Sequence, residues 1–506
     1  MSLKRILKLL AAFFTGQGVS IVTQLLVPPF FLHRYAHGVE VYGEWVVLTA
    51  AVSYLSTLNS GIQTYANNQM AIHYNGGELE EAKTVQASAL KLSLTLIAVV
   101  AVGGSMVLLM PVGRWLHLRY TSSLTASLTV FLLMLQLMTN WLFSFLCNSY
   151  MALGRAHRGQ NWGSAQRLAA ILAMSAFLWF RATFPVLALT QLASMVLFTV
   201  VVAADMRVTA PVLLPSLRFG NRKTMLAIIK PSAYFGLYSA SGFLVWQAPV
   251  LLIQLFLGPA SVAIFSFTRV IFNSSRQILS VATYAVSQEI TLLVGSRDWR
   301  ALHRLYDLSE RVVLFMVTTV SVGTLLMCPV AFSVWLHRRN LYDPGLCLLM
   351  TIVYALMAIK DHKSQFQWSS NQHQKLAVIS MCAYLSMCGL SLIALRPFGI
   401  VGVMVLWVGA ELVQVRSILR LNEKLFPPEF PVSKAPVMRA VAFLTICLAL
   451  SVWPVYWSEH WSLMRITGIA CAAVAILSVL SYAFFGLNGV RAAIGARFRR
   501  RCALAE

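Results

Sequence analysis

The sequence predicts an all-α polytopic membrane protein of about fourteen transmembrane helices, and three observations carry that expectation. Of 506 residues, 58% are hydrophobic and only 11% charged, with a mean hydropathy of +0.72, whereas a soluble domain has about 25% charged residues. Apolar runs of about 20 residues, long enough to cross a hydrocarbon core as a helix, recur from one end of the chain to the other. The basic residues collect at the ends of these runs, as the flanks of membrane helices require.

In chain order the expected spans are 11–32, 42–62, 89–110, 124–147, 168–180, 185–204, 233–257, 262–286, 312–336, 346–359, 376–395, 399–419, 436–456 and 461–485. The first follows a basic start, "MSLKRILKLL", but its apolar run continues to Leu32 without a small-residue cleavage site, so it reads as a membrane helix and not as a signal peptide. The fifth and tenth are short of the usual length and are expected to extend at their ends. With the N-terminus in the cytoplasm, about 30 of the 40 lysines and arginines fall inside and about 8 outside. The tail "RFRRR" at 497–501 then lies inside too. No loop is long enough for a separate catalytic domain, so the helices themselves must do the work.

The net charge of +23 would suit nucleic acid, but no hydrophilic stretch could fold as such a module. Eight cysteines form no CxxC pair and mostly lie in apolar runs, which makes them small buried hydrophobes and leaves no metal or disulfide expected. His33 and His37 are spaced i, i+4 with only Glu40 near, a pattern better read as interfacial polar residues than as metal ligands.

Repetition organises the chain. "HGVEVYGEW" at 37–45 follows a span with Pro28 and Pro29, and "LGPASVAIF" at 257–265 follows a span with Pro249, so that Gly38 falls on Gly258 and Trp45 on Phe265. "GGELEEAKTVQ" at 76–86 falls near "SRDWRALHRLY" at 296–306. Spans one to six and seven to twelve therefore read as duplicated halves, an N-lobe at 1–206 and a C-lobe at 231–420 joined by a cytoplasmic linker at 207–230. The two last helices and the basic tail occupy 421–506. Six spans separate equivalent helices, so both halves enter the membrane in the same sense, a parallel repeat of the kind found in rocking transporters.

With "YGEWVVLTAAVSYLSTLNSGIQ" at 42–63, its degenerate second copy "VAIFSFTRVI" at 262–271 and the two-lobe, fourteen-span layout, the chain resembles the polysaccharide-exporting, O-antigen (Wzx-type) flippases. These belong to the multidrug/oligosaccharidyl-lipid/polysaccharide exporter superfamily, with the multidrug and toxic-compound extruders and the lipid II flippases. The resemblance covers most of the chain and rests on aromatic and glycine patterns. It implies two six-helix lobes around a cavity that opens alternately to either side of a bacterial inner membrane. It implies a polyprenyl-diphosphate-linked glycan as substrate, no covalent chemistry, and two extra helices cradling the lipid tail. Other polysaccharide assembly proteins are further expected partners.

The candidate site residues start with Arg269, Asn273 and Arg276. Seven residues are close to two helical turns, so the arginines share one helix face about 10 Å apart with Asn273 between them. That face cannot look at lipid. Forked guanidinium donors suit diphosphate oxygens, and the resemblance implies a cationic cavity lining; the alternative is pairing with carboxylates such as Glu44 or Glu289, or bonding helix-end carbonyls, to hold the lobe together. Lys360, Asp361 and Lys363 either gather an anionic substrate at an inner vestibule or are flanking charges that snorkel to the interface. Asn59 with Gln63, and Gln17 with Gln24, form amide pairs on single helix faces, fit for sugar hydroxyls or for gluing helices. Glu411 and Glu44 are candidate proton- or sodium-coupling acids, although the membrane potential alone would drive an anionic head group outward, by roughly 4–5 kcal/mol per 100 mV for two charges. A drug or cation antiporter of the same superfamily, and a membrane polysaccharide polymerase or ligase, are the alternative functions. Neither fits as well, because the clearest buried charges are arginines and no large outer loop is present.

Overall fold

Inside a bilayer each backbone polar group must be satisfied within the protein, and every expected span is helical. The computed structural model describes residues 3–485 apart from 76, 154, 296 and 371, without the side chains of 3–10 and of scattered positions that include Glu289. The basic tail at 497–501 lies outside the described residues. Among those described there are sixteen α-helices and no strand. They are α1 (Leu3–Arg34), α2 (Gly38–Ser53), α3 (Leu55–Asn75), α4 (Leu79–Ser105), α5 (Val112–Trp115), α6 (Ser123–Ala152), α7 (Ala156–Trp179) and α8 (Phe184–Thr209). There follow α9 (Arg222–Trp246), α10 (Ala248–Leu257), α11 (Pro259–Gly295), α12 (Trp299–Val334), α13 (Pro344–Ser369), α14 (Gln374–Glu423), α15 (Ala435–Trp457) and α16 (Leu463–Phe484).

Among the described residues ten helical segments are long and apolar enough to cross a membrane, with α2 and α3 forming one and α9 and α10 another. The 50-residue α14 is two arms, because Gly399, two residues after Pro397, has φ 55° and ψ −143°. Counting both arms and adding α1, α7 and the arginine-bearing α11 reaches the expected fourteen. The short fifth and tenth spans do extend at their ends, as α7 and α13.

Left-handed residues punctuate these helices, and they recur. The eight described residues with positive φ fall into four pairs, His37 with Gly258, Gly77 with Arg297, His117 with His337 and Arg181 with Gly399, 218 to 221 residues apart. Each member precedes the equivalent helix: α2 and α11, α4 and α12, α6 and α13, α8 and the second arm of α14. Even the backbone bonds repeat, Gly77 N to Tyr74 O and Glu78 N to His73 O in one copy, Arg297 N to Val294 O and Asp298 N to Leu293 O in the other. The expected register needs one adjustment: at the first turn His37, not Gly38, is the conformational counterpart of Gly258.

The chain divides into two compact units, Met1–Ser266 and Phe267–Glu506, with the division inside α11. In the first, α1 packs on α7, α3 on α9 and α6 on α8. A Cβ at Gly61 would collide with the backbone of Ser232 and Gly236, so α3 and α9 approach with almost no side-chain spacer, which maximises van der Waals contact where lipid supplies no hydrophobic drive. At one end of this unit Asp205 on α8 accepts from Arg158 Nε at 2.8 Å and Trp162 at 3.2 Å on α7 and from Tyr150 on α6, holding three helices at one point. In the second unit α13 lies against α14, α12 and α15. Its eight consecutive residues from Val353 to Lys360 are all buried, as for a helix enclosed on every side.

Candidate functional site

Consecutive residues on a helix point 100° apart, so four in a row look in four directions. At the polar end of α13 these four are Lys360, Asp361, His362 and Lys363, and because the helix is enclosed, each meets a neighbour. Lys360 reaches α14, where Nζ lies 2.8 Å from Glu411 Oε2 and donates to the Tyr384 hydroxyl. Tyr384 passes the contact on, donating to Glu411 Oε1 at 2.6 Å, and Trp407 Nε1 donates to the same oxygen at 3.3 Å. His362 Nε2 and Ser309 Oγ on α12 share a hydrogen bond of 3.2 Å. Lys363 pairs with Glu310 of α12 and sits 3.6 Å over the Tyr306 ring. Its carbonyl accepts from Asn422 Nδ2 at 3.0 Å, and Asn422 is in turn held by Gln367 at 2.8 Å.

Asp361 turns to α11. Arg276 donates to Asp361 Oδ2 through Nε at 3.2 Å and through Nη2 at 2.6 Å. One turn away Asn273 Oδ1 accepts from the Tyr354 hydroxyl of α13 at 2.7 Å, and both Arg269 and Arg276 lie within electrostatic range of that tyrosine. Asn273 and Arg276 thus both meet α13, and Arg269 lies two turns from Arg276 on the same helix. Exposure separates its ion pair from the others. Lys363 and Glu310 are 1% and 2% exposed and Lys360 and Glu411 8% and 0%, whereas Arg276 and Asp361 are 34% and 29% exposed. Of these three pairs, that of Arg276 and Asp361 is the accessible one.

Several expectations change. Lys360 and Lys363 do not snorkel to an interface; they are buried and neutralised, because α13 has no lipid-facing side at this end. The carboxylate that meets Arg276 is Asp361, not Glu44; Glu289 lies outside the described side chains. Glu44 is fully buried in the first unit and clasps an interhelical loop, accepting from Arg119 N at 2.5 Å, Tyr120 N at 2.9 Å and Thr121 Oγ1 at 2.6 Å. Two of the amides bond neighbouring helices, Ser93 of α4 donating to Asn59 at 3.0 Å and Gln63 donating to the Trp141 carbonyl of α6 at 2.7 Å, while Gln24 donates to Ser20 on its own helix at 3.0 Å. His33 bonds the Pro29 carbonyl at 2.8 Å, and the His37 ring lies 5.0 Å from that of Tyr120, tilted to it by 31°.

Sequence reasoning missed Glu310, Tyr354 and Tyr384. Glu310 sits beside Arg311 just before an apolar run, where it resembles an ordinary flanking charge, and the tyrosines have no local signature. The signal that could have found Glu310 is charge balance, since two lysines on one enclosed helix need two acids from its neighbours.

No protein-family model and no curated protein matches the chain. The fold is nevertheless that of known transporters. It aligns with the lipid II flippase MurJ in an inward closed conformation, with a TM-score of 0.65 and 11% identity, over 96% of this chain and 99% of that one. The MATE multidrug transporter DinF-BH aligns with a TM-score of 0.64 and 15% identity over 84% of this chain and 96% of its own. An outward-facing multidrug resistance MATE family transporter of the MOP superfamily aligns with a TM-score of 0.62 and 16% identity over 87% and 96%.

Proposed function

We propose that this chain is a flippase that carries a polyprenyl-diphosphate-linked oligosaccharide from the cytoplasmic to the outer face of a bacterial inner membrane, for O-antigen, capsule or exopolysaccharide assembly. The observation that carries the reading is the half-open face of Arg269, Asn273 and Arg276 on α11. Two guanidinium groups against the one carboxylate of Asp361 on this partly exposed face favour an anion over a cation, and their forked donors match phosphate oxygens. The fold shared with a lipid II flippase adds support.

The buried acids argue against a cation or drug antiporter. Glu411 and Glu310 each face a lysine, and Glu44 is occupied by three donors. Transport then proceeds by alternating access, with the lipid tail in the bilayer, the head group in the protein and both termini cytoplasmic. No cofactor is required. The membrane potential supplies roughly 4–5 kcal/mol per 100 mV for two phosphate charges crossing the full field, so proton or sodium coupling through Glu411 is not needed.

The test is export of the lipid-linked glycan, normalised to folded protein in the membrane. Arg269→Gln or Arg276→Gln removes charge-assisted bonds worth about 1.5–3 kcal/mol each and is expected to cut export about tenfold or more. Lysine at either position restores part of it, keeping the charge but not the fork. Near-normal export by the Arg269→Gln, Arg276→Gln double variant rules the reading out.

A further inference from the structure

We infer that Arg167 and Gln160 on α7 form a further phosphate-binding site, built wholly within the first unit and occupied by a phosphate of the lipid-linked head group; the inference rests on the flippase reading above.

Although it fills the fifth span, α7 is less apolar than the ten segments that qualify as spans by composition. Its polar residues therefore need a face turned away from lipid, and α7 packs on α1. Gln160, Ser164 and Arg167, spaced i, i+4 and i+7, make up that face and converge on Gly16 of α1. Gln160 Nε2, Ser164 Oγ and Arg167 Nη2 lie 2.8, 3.2 and 3.7 Å from the place where a Gly16 Cβ would stand. The glycine thus leaves a small polar niche. The amide and guanidinium nitrogens are at most about 6.5 Å apart, a gap that one phosphate closes with hydrogen bonds of about 2.9 Å to each.

Depth makes the charge conspicuous. Arg167 lies about 13.5 Å of helix rise beyond Arg158, which is pinned to Asp205, and about 18 Å short of Trp179 at the other end of α7. A guanidinium so placed is costly unless it faces the protein interior or water and finds a partner. Arg167 faces α1, but its partner is slight: Nε donates to Gly163 O of its own helix at 3.2 Å. Among the described residues its terminal N–H groups have no hydrogen-bond partner and no carboxylate pairs with it. Glu44 is held by the loop at 119–121 and Asp205 by Arg158. The Gln160 amide makes no hydrogen bond among the described residues either. Neither group is sealed in by its neighbours, so an incoming oxygen can reach both. An uncompensated cation calls for an anion, and a forked donor beside an amide N–H suits one with several oxygens. The repeat does not demand a charge here, since the matching stretch 218 to 221 residues on, Leu385 to Cys388 of α14, has none.

Purified full-length protein in dodecyl maltoside micelles, titrated with geranylgeranyl diphosphate, tests this. Arg167→Gln is expected to weaken binding about tenfold and Arg167→Lys about threefold, with the thermal midpoint of the ligand-free protein no lower than wild type. Wild-type affinity in Arg167→Gln overturns the site, and a lowered midpoint with that affinity makes the arginine structural. A second measurement needs no variant. Modification of Arg167 by phenylglyoxal, read by mass spectrometry, should fall about threefold or more with saturating geranylgeranyl diphosphate and stay level with geranylgeraniol. Modification that ignores the diphosphate overturns the site. Equal protection by dioctanoyl phosphatidylglycerol makes the niche a site for bulk lipid and overturns its assignment to the substrate. Arg276→Gln that binds the diphosphate like the wild type has a different meaning: the α11 face is then no phosphate site, and the flippase reading fails, taking this inference with it.

Discussion

Replacing Glu411 by Gln removes the charge that compensates the Lys360 ammonium while hardly changing the shape of the side chain. The Lys360 side chain is 8% exposed and that of Glu411 0%, so neither charge can turn to water when its partner is lost. Breaking a buried pair from one side costs about 3–5 kcal/mol. The Tyr384 hydroxyl still accepts from Lys360, which places the expected loss near the lower end, at about 3 kcal/mol. A destabilisation of about 1–2 kcal/mol already changes cellular abundance several-fold, so Glu411→Gln should reduce folded protein in the membrane about tenfold. Adding Lys360→Met removes the stranded ammonium, and replacing a whole buried pair is often neutral or better. The double variant should therefore recover at least about half the wild-type level, and its export per folded molecule should stay within about threefold of wild type. Abundance is read by fluorescence-detected size-exclusion chromatography of detergent extracts and export by surface glycan. Normal abundance of Glu411→Gln with no export would refute this reasoning, since the carboxylate would then be acting on a coupling ion and not on Lys360.

Three other outcomes follow from the geometry. Glu44→Gln weakens three charge-assisted bonds to the loop at 119–121 and should cost about 1.5–3 kcal/mol, visible as faster proteolysis at that loop with the membrane helices intact. Gly61→Leu drives a side chain into the backbone of α9 at Ser232 and Gly236; overpacking of this kind costs about 1–3 kcal/mol or more, and an unchanged thermal midpoint in detergent would show that α3 and α9 are not in close contact. Reporter fusions after Phe180 and Leu257 should read outside, and those after Ala210 and at the C-terminus inside; a C-terminal fusion that reads outside sinks the proposed orientation.

The sequence by itself determined the helical membrane class, the approximate spans and the repeat, because apolar runs, flanking charges and recurring glycines are local in the chain. Turn conformation follows that local code closely enough for left-handed residues to recur in matched turns, as Gly77 and Arg297 do. It also determined that Arg269, Asn273 and Arg276 share a face, since helix periodicity alone decides it. Only the tertiary structure decided what that face meets. Lys360 and Lys363 look alike in sequence to any lysines that end a membrane span, and Glu310 to any acid that starts one. Whether they reach water or one another depends on how many helices surround α13. Ion pairing runs across helices 50 to 90 residues apart in the chain, as between Lys360 and Glu411 or Arg276 and Asp361. No local pattern encodes such a distance. Burial of the α13 faces that carry Lys360 and Lys363 turns flanking charges into buried pairs, because a charge with no path to water must find its opposite within the protein.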